Sequence, residues 1–466
     1  MKSKISILII ALVALIAIAP FVFAEEGGVP AMPGADGPGG EGGESVSADL
    51  SAVLEVAGKT LSESGKTYTA DKEDLSCVLV KEGGELNLDG AILEKTGDSS
   101  NTQSSDFSGL NSAAVAQNGT LNIKGSGFWL FGSSSKITTN AEGANGLFAT
   151  GTNAVIEADN LEISTEKNSA RGIDATYGGT IHAINLKITT LGEHCAAVAT
   201  DRGEGFITIE DSILNTEGKG SPCIYSTGNI TAKDCEGKAG GSSAAVIEGK
   251  NLINLEDCDF TCAAYGRTET GIDAVAVMIY QSMSGDSSVG TGTFISKDSK
   301  ITVDSGSKAY KTAPAFFVTN TKAIIDLTST ELEYGSDILL NASGNDGEWG
   351  NSGSNGGDVV FNLTKEDLSG KIIVDAISSL ELNIKSSTLT TAINSENSNG
   401  TISIFLSSDS TLKLTGDCYI SSISDEKEDF SNIESNGFNI YYDSSKCPSL
   451  NGKTINLNGG GKLIPI

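Results

Sequence analysis

The sequence predicts an all-β chain, a single right-handed parallel β-helix solenoid preceded by an N-terminal signal peptide and a flexible tether. Three observations predict it. Short β-rich segments recur about every two dozen residues. Composition favours strands and tight turns over helices, with 56 Gly and only 6% aromatic residues among many Ser, Thr, Asn and Ile. The first residues carry an export pattern. A length of 466 residues would ordinarily suggest two or three domains, but a repetitive stack grows in one dimension and escapes that expectation.

Lys2 and Lys4 precede an apolar run from Ile5 to Ile18, Pro20 breaks it, and Val22-Phe23-Ala24 supplies a cleavage pattern before Glu25. So short a run, ending in this way, reads as a signal peptide over 1–24, with a retained anchor as the competing reading. No Cys follows the run, and Gly459 to Ile466 carries no hydrophobic tail. The mature form is therefore expected to have no membrane span and to be secreted or held non-covalently at the cell surface. Residues 25–47 are rich in Gly, Pro and Glu and read as a disordered tether. Residues 48–466 are assigned to the β-helix with its terminal caps.

The formal charge is −29, and removal of Lys2 and Lys4 with the signal takes it to −31. Such a field repels phosphate, so nucleic acid and anionic membranes are disfavoured as partners. An acidic exterior also keeps an exported protein soluble. The eight Cys show no CxxC spacing and there are only two His, which argues against structural zinc.

The repeat is read from GTLNIKGS, NAVIEADNLEI, GTIHAINLKI, GFITIEDSIL, GNITAKDCE and NLINLEDCDF. One apolar residue from each (Leu121, Val155, Ile181, Ile207, Ile230, Ile253) gives spacings of 34, 26, 26, 23 and 23 residues. A small-apolar strand precedes each one. Two or three alternating strands per unit fit one coil of a three-faced helix, each coil pairing with the next at about 4.8 Å. Five residues after the chosen position come Ser126, Asn160, Ser212, Cys235 and Cys258, with Asn185 four after Ile181. This column is expected at a turn. Adjacent coils would bring Cys235 and Cys258 to about 5 Å between Cα atoms, so the pair is expected to form a disulfide or at least touch. Cys418 and Cys447 are a second candidate staple, at the C-terminal end. Excursions interrupt the coils near 97–110, 132–144, 282–293 and 341–357. Hairpin-like pairing after Asn439 is expected to cap one end, and Ala48 to Ala57 the other.

From about Ala113 to Ile466 the chain resembles exported prokaryotic β-helix proteins of the pectate-lyase-like architecture. The resemblance rests on NGLFATG at 145–151, ARGIDATYGGTI at 170–181, AAVATDRGEG at 196–205, SPCIYSTG at 221–228, AAVIEGKN at 244–251, YQSMSGDSSVG at 280–290 and the terminal LNGGGKLIP. It implies a fold and an adhesin-like surface role rather than a reaction. Pectate lyases of this architecture carry a W-I-D-H-like stretch, and polygalacturonase-like hydrolases carry G-H-G and R-I-K. None of these occurs here.

The residues just after the small-apolar strands fall on one edge: Tyr177, Asp201 with Arg202, Thr227, Glu248 with Lys250, then Tyr280 with Gln281. Asp201 and Glu248 would lie two coils, or about 10 Å, apart, near the separation of an inverting carboxylate pair. Arg202 or Lys250 would serve as base or bind a carboxylate. Tyr177, Tyr280 and Gln281 would line the ligand. The alternative is a solvated turn column whose charges pair harmlessly. His182 and His194 make no catalytic constellation. The excursions at 282–293, with Asp286, and at 341–357, with Asn345, Asp346, Glu348 and Trp349, are separate candidates. Asp286, Asp346 and Glu348 are candidate Ca²⁺ ligands, no other cofactor is implied, and an exposed Trp349 would stack on a sugar ring. Five sequons, at Asn118, Asn229, Asn341, Asn362 and Asn399, would permit glycosylation.

Two functions remain at this point. One is a secreted or cell-surface protein binding a polysaccharide or cell-envelope component without catalysis. The other is a carbohydrate-active lyase or hydrolase on the same fold.

Overall fold

The computed structural model describes residues 48–125, 135–266, 274–346 and 349–466. Ser126, Trp129 and Glu348 lie outside them. The described chain is nearly all β, with long parallel sheets and a single α-helix, Thr102–Ser108. Each repeat gives one strand to a 12-stranded parallel sheet that runs from Ser51–Ala57 to Lys371–Val374. The rest of each repeat feeds two further parallel ladders, joined where Val155–Thr165 and Thr180–Thr190 pass through both. This arrangement is consistent with a parallel β-helix.

Period-2 alternation makes these strands, because one face must be buried. In the second sheet the inward column runs from Leu61 through Leu86, Leu121, Ile156, Ile181, Ile207, Ile230 and Ile253 to Phe294. From Leu86 onward its members are at most 2% exposed. Each such side chain contributes roughly 1.5–3 kcal/mol by leaving water. Val155, chosen from the sequence, is one residue out of register. It pairs with Thr180 and is half-buried, whereas Ile156 pairs with Leu121 and Ile181. The two neighbouring β-branched residues made the alternation ambiguous.

That slip merged two turn columns into one. Asn160, Asn185, Asp211, Asp234, Asp257 and Asp298 form the corner itself, with φ between 49° and 57°. Asn and Asp tolerate this left-handed conformation because their short polar side chains bond locally. The next position inward holds Ser212, Cys235, Cys258 and Ser299. There Ser212 accepts from the Leu186 amide at 3.0 Å, and Ser299 from the Cys258 amide at 3.0 Å.

The expected disulfides are not formed. All eight Cys are buried free thiols, Cys418 and Cys447 among them. Cys235 and Cys258 do sit side by side on adjacent rungs, close enough for their thiols to influence each other. In-register parallel neighbours point their Cα–Cβ bonds the same way at about 4.8 Å, wider than the roughly 3.8 Å between Cβ atoms that a disulfide needs. Each thiol is also engaged with carbonyls, Cys235 with Lys233 at 3.2 Å and Cys258 with Glu256 at 3.3 Å.

The ends differ. Ser51–Ala57 is not a separate cap but the first strand of the 12-stranded sheet. At the other end Ile455–Asn456 pairs antiparallel with Lys462–Pro465, as the hairpin reading expected. Among the described residues no helix is long and apolar enough to cross a membrane.

Candidate functional site

On the outer face of the 12-stranded sheet one column reads Leu79, Val115, Phe148, Asp174, Ala199, Tyr225, Val246, Met278 and Phe317. It is apolar at both ends and polar in the middle, and its apolar ends are covered. The helix Thr102–Ser108 begins at Asn101, whose side chain accepts from the Ser104 amide at 3.1 Å, and ends at the left-handed Gly109. Glycine is required there: a Cβ would lie 2.5 Å from the Phe148 ring. At the far end Trp349 stacks on Tyr280 with ring centroids 4.2 Å apart, over Met278 and Phe317. Between the two covers lies a groove of about 600 Å³.

Two networks build its floor. Arg171, just before the strand Ile173–Thr176, pairs with Asp106 from the helix, with Asp201 at 2.8 Å and with Asp174 at 3.4 Å. Burial pushes the Asp201 carboxyl up to about 7, against the pull of Arg171. Burial likewise raises Asp174 well above the usual carboxylate range. Asp174 is fully buried, and neither of its oxygens receives a hydrogen bond. The second network centres on Glu248, at the end of the strand Ala245–Glu248. Its carboxylate accepts from Tyr225 at 2.7 Å, Tyr280 at 2.8 Å, Ser287 at 3.2 Å and Ser282.

Asp201, Glu248 and Tyr280 from the expected edge line one groove, together with Asp286 and Trp349, which were expected as separate loop candidates. Thr227 and Glu248 follow Asp201 on the next two rungs, so the two-coil spacing of the carboxylates stands. Arg202 closes the rim instead of facing a ligand. Its guanidinium bonds Asp286 at 2.5 and 3.1 Å and lies 3.9 Å over the Phe107 ring. The other expected residues fall elsewhere. Lys250 pairs outside the groove with Glu204 at 2.8 Å. Tyr177 takes a left-handed φ and packs beneath Gly203. Gln281 is buried, its amide donating to the Ser282 carbonyl at 3.2 Å and to the Ser287 hydroxyl at 3.3 Å, which holds the 282–287 loop. Trp349 is only 6% exposed, because Tyr280 takes one face of its ring, so it is not an open sugar platform.

Asp286 is committed to Arg202, and Asp346 is exposed on the other loop. Among the described residues no three His, Cys, Asp or Glu side chains gather to hold a metal ion. His194 lines the groove, while His182 bonds Thr208 at 2.8 Å on the second sheet.

Sequence reasoning missed Arg171, Asp106, Asp174 and Tyr225. A signal existed for the first: the chain has only three Arg (171, 202 and 267), and two of them serve this groove. Compared with known proteins, the chain matches no family model, no curated protein and no solved structure.

Proposed function

We propose that this chain is an exported, adhesin-like right-handed parallel β-helix that binds a polysaccharide or other cell-envelope component in this groove without catalysis. The signal-peptide pattern, the resemblance to exported β-helix proteins and the rung-by-rung register support it. One observation carries the choice of binding over chemistry. Both carboxylates expected to act on a substrate are engaged by protein groups, Asp201 by Arg171 and the Arg202 amide, Glu248 by four hydroxyls. The test is a glycan array and whole-cell binding with the secreted chain, beside Tyr225→Ala. Binding that Tyr225→Ala lowers at least tenfold supports the reading. No binding to either target overturns it.

A second reading, a lyase or hydrolase, is favoured by the raised Asp201 carboxyl two rungs from Glu248. An acid that keeps its proton near neutral pH, opposite an acceptor about 10 Å away, is the pairing an inverting hydrolase uses. Incubation with a broad polysaccharide panel, with and without Ca²⁺, decides it. Absence of any cleaved product removes that reading.

A further inference from the structure

We infer that Cys235 and Cys258 form a two-coordinate site for one soft monovalent cation of the copper(I) class. The pair lines a different pocket from the groove described above. Each Cys follows a left-handed corner Asp and leads into a strand, Glu236–Ala239 or Asp259–Cys262. Register is held on both sides of the pair, Lys233 against Glu256 and Glu236 against Asp259. The two Cα–Cβ bonds therefore point the same way from adjacent rungs.

That register sets the distance between the sulfurs. Neighbouring rungs lie about 4.8 Å apart, wider than the roughly 3.8 Å between the Cβ atoms of a disulfide. A metal–thiolate bond is about 2.3 Å long, so an ion held in line by two sulfurs keeps them about 4.6 Å apart. The spacing that works against an S–S bond thus suits an S–metal–S bridge. Among the described residues no third His, Cys, Asp or Glu joins the pair, which leaves zinc short of its four ligands. Thiolates select soft ions, and copper(I) is satisfied by two of them.

Structural duty alone does not account for sulfur in this column. Ser212 and Ser299 fill the same position on the two flanking rungs. Each hydroxyl donates to the carbonyl two residues back, as each thiol does. Serine makes the same contact, and what sulfur adds is affinity for a soft metal. Both thiols border an open pocket of about 600 Å³, so an ion has a path to them. Binding is an exchange without redox: two S–H protons leave to solvent, two metal–sulfur bonds form, and the ion keeps its charge. The neighbouring Cys235 thiol holds Cys258 below the ordinary thiol range, which eases loss of the first proton.

The test supplies copper(I) bicinchoninate, under anaerobic conditions, to the reduced secreted chain. One ion per chain should leave the coloured chelator, and X-ray absorption should show two sulfur neighbours and no nitrogen or oxygen. Cys235→Ser and Cys258→Ser should each weaken uptake at least a hundredfold, with circular dichroism confirming the fold that Ser212 and Ser299 already tolerate. Cys195→Ser, whose neighbour on the next rung is Ser221, should leave uptake unchanged. No withdrawal of copper, a shell rich in nitrogen or oxygen, or undiminished uptake by the double variant overturns the site. If a variant fails to fold, hydrogen exchange of the native chain decides. Copper(I) should then raise protection at 233–236 and 256–259, and a rise confined to other segments overturns the assignment.

Discussion

The groove and the outer face of the second sheet are built on the same rungs, yet they treat polar side chains in opposite ways. On the second sheet, side chains stack into open ladders: Asn122 donates to Asn87 at 2.8 Å, and Lys297 pairs with Glu256 at 2.9 Å in solvent. Over the groove, Asp174, Asp201 and Glu248 are at most 4% exposed, Asp174 paired with Arg171 and the other two tied to several partners each. Register places a column in both cases. The excursions decide its dielectric, because the helix Thr102–Ser108 and Trp349 cover one face and, among the described residues, nothing comparable covers the open ladders. Burial converts a weak surface pair into a strong, costly one.

The sharpest way to break this contrast is Arg171→Ala. It leaves Asp106, Asp174 and Asp201 without their shared cation and is expected to cost about 3–5 kcal/mol, as loss of one partner of a buried ion pair does. A long stack does not unfold in one step, so hydrogen exchange in Ile173–Thr176 is the measurement, with full protection refuting the expectation. A pH series comes next. A carboxyl whose folded pKa is raised stabilises the fold most below its unfolded value near 3.8, and that stabilisation is lost as pH rises through about 7. Stability over the groove, read as protection, should therefore fall between about pH 4 and pH 7 in the native chain and level off above it. Asp201→Asn should flatten that fall, and an identical slope in both proteins would remove Asp201 as its source.

Tyr280→Phe removes one of four donors to Glu248 and should cost about 1–2 kcal/mol, measured the same way. On the open face the same kind of change should be nearly silent. Asn122→Ala is expected to cost less than about 0.5 kcal/mol, and Lys297→Ala to leave exchange unmoved. A large effect at either would erase the distinction between the faces. Denatured-state thiol titration should count eight reactive Cys without reductant, and fewer would return a disulfide to the structure.

The repeat was legible because burial enforces alternation, so the inward column could be followed from Leu121 to Ile253 with a slip only at Val155. The edge carrying Asp201, Glu248 and Tyr280 was legible for the same reason, since equivalent positions recur at each rung. Arg171 and Asp106 were not. They stand 65 residues apart and meet because the helix Thr102–Ser108 folds back over the sheet, a contact with no period in the sequence. Cys235 and Cys258 were placed correctly as neighbours and wrongly as a disulfide, because register fixes which rungs meet but not the direction of Cβ. Lys250 and Gln281 shared the right stretch of chain but turned to other partners once the loops closed.

The two covers, one set by the helix Thr102–Ser108 and the other by Trp349, sit at fixed rungs of the 12-stranded sheet, so the groove's length is quantised. It can change only in whole steps of about 4.8 Å. An insertion of one residue would turn a strand's buried face outward, whereas duplicating an entire rung between Ala199 and Tyr225 would keep every face in place. The length of the groove is therefore adjustable by copying sequence rather than by redesigning contacts.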